Sequence, residues 1–276
     1  MADFQKQIHC EDVLLPSRGI VYNKTLGIGD TISLKPFTNK DMKGLYANAG
    51  DSGLETLLDN SINQSHMNWT ASDLIPQDRD MLLMRLRAIT LGSRVGFDLT
   101  CGSCGASMRQ EIDLDTLKIN YFDEGMQYPL VLTLPDSGTQ VLYRILSHKE
   151  RKQIERLLDE RAKKFPKFNK TAERVFYTFA RKIAFTDGKK SDFQSMYDFY
   201  SDLSAIDATY LMFIENQFTI GPETKASCLC PSCGTEQTFE FNFSSEFFRP
   251  TFEKPSGLAI SSSSSFGNND ETNDAV

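Results

Sequence analysis

Asp73–Gly105 reads DLIPQDRDMLLMRLRAITLGSRVGFDLTCGSCG, and Asp202–Gly234 reads DLSAIDATYLMFIENQFTIGPETKASCLCPSCG. Laid over each other at a constant offset of 129 with no gap, the two 33-residue stretches agree at ten positions. The matches include Asp78 with Asp207, Leu82 with Leu211, Gly92 with Gly221, and both cysteine pairs with the glycine that follows each. Two glycines and two cysteine pairs in one register predict a tandem duplication.

The agreement continues upstream with gaps. Leu15-Pro16-Ser17-Arg18-Gly19 answers Leu134-Pro135-Asp136-Ser137-Gly138. A β-rich run follows each, Thr31–Leu34 and Val141–Arg144, and then a helix start, Thr38–Asp41 and Ser147–Glu150. In both starts a hydroxyl stands three residues before an acid, so each side chain can satisfy a free backbone N–H of the other. The second unit then carries Ala172, Val175, Phe176, Phe179, Ala180 and Ile183 at helical spacing, which predicts one buried stripe. Helices near Asp78–Ile89 and Asp207–Phe218 lead to the cysteine pairs, and alternating strands leave them, Glu111–Leu114 and Phe239–Phe243. Gly50–Gly53 reads as a glycine-broken loop particular to the first unit. The expected fold is α+β: two copies of a β-hairpin–helices–zinc-knuckle unit, the knuckles pairing into a zinc-ribbon-like site. Residues 1–120 form the first repeat and 121–250 the second, with Tyr121–Gln127 joining them. Residues 251–276, rich in Ser, Asn and acids, have too little apolar content to fold and are expected to be a disordered tail.

Each Cys-x-x-Cys-Gly has the form of a zinc knuckle. The two-residue gap aims both thiolates at one ion, and the glycine supplies the left-handed backbone of the turn. One knuckle gives two ligands and structural zinc takes four, so Cys101, Cys104, Cys230 and Cys233 are the expected ligands of one shared Zn2+. Two other readings stand beside it: knuckles that persist as bare turns, and a redox pair. The redox pair belongs at a helix N-terminus, whereas these pairs lead into strands. Cys10 and Cys228 are expected to be spare thiols, and the 20 Phe to fill core or interface.

No phosphate loop, dinucleotide fingerprint or hydrolase elbow is found. His9, His66 and His148 are scattered and read as surface residues. The expectation is a non-enzymatic protein without a small-molecule substrate, and an enzyme with an unrecognised site is the weaker alternative. No apolar run reaches the roughly 18 residues of a membrane span, and the polar start is no secretory signal, so synthesis in a reducing cytoplasm is expected. Net charge is −7, yet His148–Lys190 holds 14 Lys or Arg against 6 Asp or Glu, a local +8 that leaves −15 for the rest. Within it, Lys163, Lys164, Lys167, Lys170 and Arg174 are candidate partner-binding residues, against the ordinary reading of a solvated helix face that also takes in Arg181 and Lys182. Phe165 and Phe168 among the lysines keep nucleic acid in view, and the acidic remainder weakens it.

Leu14-Leu15-Pro16-Ser17-Arg18-Gly19-Ile20-Val21-Tyr22, followed by Ile32-Ser33-Leu34-Lys35-Pro36-Phe37-Thr38, resembles the opening of the T-even-type phage baseplate hub and hub-assembly family. The late knuckle, running through Phe239–Phe243 to Glu246-Phe247-Phe248-Arg249-Pro250, is similar to that family's members too. The resemblance spans most of residues 13–250. It implies a structural component or assembly factor near the central hub of a contractile-tail baseplate, in the virion and in the host cytoplasm during assembly. The implied partners are other baseplate or hub proteins, and no catalytic residue is implied. The competing class is a zinc-ribbon accessory protein that binds nucleic acid. Such ribbons carry basic or aromatic residues around their knuckles, and here the loops read Gly102-Ser103 and Pro231-Ser232 with only Arg109 close by.

Overall fold

In a computed structural model, residues 10–47, 50–64, 67–187 and 191–248 are described. The chain begins with β1 (Glu11–Leu14) and β2 (Thr31–Leu34), paired antiparallel. Helices α1 (Met42–Ala47), α2 (Asp51–Ser61) and α3 (Pro76–Leu91) follow. A long hairpin of β3 (Arg94–Thr100) and β4 (Ser107–Asp113) carries the first knuckle at its tip. After β5 (Ile119–Asn120) come β6 (Leu130–Thr133) and β7 (Gln140–Tyr143), then α4 (His148–Lys164) and α5 (Lys170–Lys182). Next is β8 (Ile183–Phe185), the third strand of the sheet β6-β7-β8, then α6 (Phe193–Ser201) and α7 (Ala205–Gln217). Two-residue β9 (Gly221–Pro222) pairs with β5, and β10 (Lys225–Leu229) with β11 (Glu236–Glu240) forms the hairpin of the second knuckle. The protein is thus mixed α/β, with small antiparallel sheets and seven helices among the described residues. The acidic tail 251–276 lies outside them.

Both expected helix starts are present. The Thr38 N–H and hydroxyl donate to Asp41 at 2.8 and 2.7 Å ahead of α1. Ser147 and Glu150 form a reciprocal capping box on α4, and Arg144 grips the same carboxylate at 2.7 and 3.0 Å. Burial pushes the Glu150 carboxyl up, but Arg144 and Ser147 outweigh it and hold it below the usual value. A depressed folded value gives stability that is present above the unfolded pKa and lost as pH falls through the folded one. Glu150→Gln should therefore cost about 1–2 kcal/mol near neutrality, and the cost should shrink as pH falls below the usual glutamate range. Urea unfolding of both proteins across that range checks this, and a penalty independent of pH would refute the charge argument.

Two expectations are corrected. Gly50–Gly53 is not a broken loop: Gly50, at φ 134°, caps α2, and Gly53 is buried in its first turn. The stripe on α5 is rotated, because the helix packs on α6 as well as on α4. Phe179, Ala180 and Ile183 are buried together with Tyr177, whereas Ala172 and Val175 face solvent.

Two helices each hold a turn through a buried aspartate. Asp78, in the first turn of α3, accepts from the Ser17 N–H at 2.9 Å, from the Ser17 hydroxyl, and from the Tyr22 hydroxyl at 2.6 Å. Asp207, in the first turn of α7, accepts from the Asp136 and Ser137 N–H groups at 2.8 and 3.1 Å. Both carboxylates are fully buried, and each satisfies backbone donors of a turn that has left its strand.

The largest core spans Val13 to Leu114 and takes in Phe241, Phe243, Phe247 and Phe248 from the far end of the chain. A second core packs the β6-β7-β8 sheet against α5, α6 and α7. Between them, Ile75, Phe122 and Ile145 make a small joint, and the His148 N–H donates to the Leu74 carbonyl at 2.8 Å. Ion pairs cross the same joint from α4: Lys149 to Asp73 at 3.0 Å and Lys152 to Glu55 at 2.7 Å.

Candidate metal centre

The knuckle turns share one geometry. The Cys101 N–H donates to Ala106 O at 2.9 Å and the Gly105 N–H to Cys101 O at 2.9 Å; in the second turn the Cys230 N–H reaches Thr235 O at 3.0 Å and the Gly234 N–H reaches Cys230 O at 2.8 Å. Gly105 and Gly234 both sit at φ 72°, a region that a side chain would strain. The tips of the two hairpins meet. Cys101 Sγ lies 3.7 Å from Cys233 Sγ, and Cys104 Sγ lies 3.7 Å from Cys230 Sγ, so sulfurs of the two hairpins come together. All four sulfurs lie within 4.8 Å of one another.

These distances discriminate between chemistries. A disulfide needs about 2.05 Å between sulfurs. Four thiolates around zinc, each about 2.3 Å from the ion, stand about 3.8 Å apart along the edges of a tetrahedron. The residues present therefore fit a four-coordinate metal. Electrostatics agrees. Thr235, through its hydroxyl and N–H, brings the Cys233 thiol down to about 6, and the N–H groups of Cys104 and Ser103 lower Cys101. The Ala106 N–H pulls Cys104 down too, but the sulfurs of Cys233 and Cys101 outweigh it and push that thiol up to about 12. Thiolates this close repel, and a divalent cation removes the conflict. Cys101 and Cys230 are 2% exposed, while Cys104 and Cys233 face solvent, so the centre is rooted on the inner side of each tip.

Sequence reasoning missed what supports the tips. Gln237, on β11, accepts from the Gly102 N–H at 3.0 Å and ties one knuckle to the other hairpin. Beneath the hairpins an aromatic ladder descends into the first core. Phe97 meets Phe239 and Phe241 at 6.0 and 5.1 Å, and Phe241, Phe243, Phe247, Phe248 and Phe37 follow at 5.0–6.0 Å between centroids. Alternate Phe residues from 239 to 243 are the signal that carried it.

The remaining candidates are placed as follows. Cys228 faces Gln237 across its hairpin, outside the cluster. Cys10 accepts from Asn63 Nδ2 at 3.2 Å. His9 and His66 lie outside the described residues. His148 is not a surface residue: its side chain is 12% exposed, with Nε2 3.2 Å from Glu55 and 3.7 Å from Asp51, because α4 starts in the joint between the cores. Lys182 is likewise no part of a solvated face, being 2% exposed and paired with Glu215. Of the basic candidates, Lys170 pairs with Asp159 and Glu155 at 2.5 and 3.2 Å, and Arg174 forks on Glu155 at 2.6 and 3.1 Å. Lys163, Lys164 and Lys167 are exposed.

A family model described as T4 bacteriophage base plate protein matches residues 18–249. Neither the curated proteins nor the solved structures offer a match.

Proposed function

The chain belongs to the T4 bacteriophage base plate protein family, and from that membership we propose that it is a structural component or assembly factor of the central hub of a contractile-tail baseplate. It works without catalysis, in the virion and in the host cytoplasm during assembly, and its partners are other baseplate proteins. Its fold is a duplicated unit whose copies, 1–120 and 121–250, are clamped by one structural Zn2+ on Cys101, Cys104, Cys230 and Cys233.

The four-cysteine cluster is the observation that supports the clamp. Its ligands come in pairs from hairpins 129 residues apart, so one ion would fasten the two halves of the chain. Four protein thiolates fill a tetrahedron and leave no open position for substrate, which is the pattern of a structural rather than a catalytic site. The like roles of Asp78 and Asp207 support the duplication. On this reading Phe241–Phe248 is an arm of the second copy laid into the core of the first.

Metal analysis of protein purified without added zinc should give close to one zinc per chain. A value near zero or near two would remove the shared site. For the hub role, mass spectrometry of purified virions beside infected-cell extract separates a particle component from an assembly factor. Infection with a chain lacking Cys101 should yield heads with tails stalled at baseplate assembly, and a normal yield of particles would count against the role.

A further inference from the structure

Helix α7 carries apolar side chains on more than one side, and one side of it, where Thr209 and Asn216 also stand, is open. Ile206 is 60% exposed, Phe213 54% and Met212 46%. No ionised side chain interrupts this face, because Asp207 is fully buried and Glu215 is paired with Lys182. The residues of α3 at the same offset as Tyr210, Met212 and Phe213 are Met81, Leu83 and Met84, and all three are buried in the first core. The chain covers this side of α3 and leaves the matching side of α7 open. An uncharged apolar face of this kind marks a protein contact.

Its rim points to the occupant. Asp198, on the last turns of α6, and Asp202, which ends it, are both exposed shortly before α7 begins, and we take them as an acidic border of the apolar face. The opposite combination stands at the turn between α4 and α5. There Phe165 is 57% exposed, and Lys163, Lys164 and Lys167 surround it without an ion pair among the described residues. An aromatic knob in a basic collar complements an apolar face with an acidic border. A twofold contact of α7 with another α7 would instead set the two acidic borders against each other.

We propose that the open face of α7 seats the α4–α5 turn of a second copy of this chain, Phe165 packing against Ile206 and Phe213 while the lysine collar meets Asp198 and Asp202. Knob and seat are separate surfaces, so each copy gives one contact and receives one. Such a heterologous contact repeats head to tail until it closes a ring or runs on as a filament. The inference uses only these two surfaces and is independent of the hub assignment.

Sedimentation velocity on the full chain tests it. At low salt the average mass should rise between about 2 and 200 μM, as for a contact at the small end of interface sizes, and fall back when salt screens the collar. Phe165→Asp and Phe213→Asp should each give a monomer with unchanged circular dichroism. Mixed together they should form a one-to-one dimer and nothing larger, because one still offers a seat and the other still offers a knob. A wild-type chain that stays monomeric throughout would overturn the proposal and leave the face to a different partner. So would a Phe165→Asp variant that still associates, the result for an α7–α7 contact, or two monomeric variants whose mixture does not pair. Binding of duplex DNA that is lost when the three lysines become Glu, without any self-association, would assign the collar to nucleic acid instead.

Discussion

If the four cysteines hold one zinc as proposed, Cys101→Ser and Cys230→Ser should have the same effect: loss of the metal, and loosening of both hairpins at once. The cause is the meeting of the two tips, where Cys101 stands against Cys233 and Cys104 against Cys230 at 3.7 Å. Removing one thiolate from either hairpin opens the same tetrahedron. Binding free energy of structural zinc, on the order of 10 kcal/mol in small zinc-folded units, becomes folding free energy when the site forms only in the folded state. Each variant should therefore lose several kcal/mol, and excess chelator should bring the wild type to the same level. Hydrogen exchange supplies the decisive reading. Protection should fall in β3, β4, β10 and β11 in either variant. Loosening of β3 and β4 alone in one variant, and of β10 and β11 alone in the other, would mean that each knuckle acts by itself.

Glu215→Ala should cost about 3 kcal/mol, a large loss for a residue that is 35% exposed on its side chain. Lys182 is 2% exposed on its side chain, and Glu215 is its ion-pair partner. The Tyr143 hydroxyl donates to the same Glu215 oxygen at 2.6 Å and lies 3.3 Å from Lys182 Nζ. Burial lowers Lys182 and raises Glu215, and the pair's attraction opposes both, carrying Glu215 below its usual value. Deleting the carboxylate leaves a buried ammonium without its counter-ion, with only the Tyr143 hydroxyl in reach, which costs far more than the pair contributes. Lys182→Met with Glu215→Leu, which removes both charges and keeps the volume, should recover most of the loss. The comparison is made by denaturant midpoint at unchanged slope. A loss under about 1 kcal/mol for Glu215→Ala would mean that water reaches the pair.

What could be read from the sequence was local chemistry with a fixed spacing. Ser147 three residues before Glu150 announced a capping box, and Cys-x-x-Cys-Gly announced a turn with a left-handed glycine; both are present. Mixed helices and short antiparallel strands followed from the same punctuation. Three features were hidden because a single segment does not show what packs on it. Lys182 belongs by charge to a solvated basic stretch, and only the fold brings Tyr143 of β7 and Glu215 of α7 to its buried ammonium. His148 opens α4 like any surface residue until α2 brings Asp51 and Glu55 to it. Gly50 and Gly53, which look like a break, open a helix because Gly50 takes a backbone conformation reserved for glycine. At the candidate centre the four sulfurs were legible from spacing, but Gln237 and the phenylalanine ladder beneath them were not, since both depend on how the two hairpins cross.

The arm Phe241–Phe248 sets a timetable for synthesis. The core it completes is otherwise built from residues up to Leu114, so the ribosome must add roughly 130 more before the last aromatic side chains arrive. At about 5–20 residues per second that is a wait on the order of 10 s. Throughout it the nascent N-terminal half exposes the apolar floor on which Phe243, Phe247 and Phe248 will lie, and its two knuckle cysteines have no counterparts. The second half suffers no comparable delay, because its own core closes between Leu130 and Phe218. The part of the protein made first is thus the part finished last, and a chain cut short anywhere before Phe248 would be released with its larger core still open.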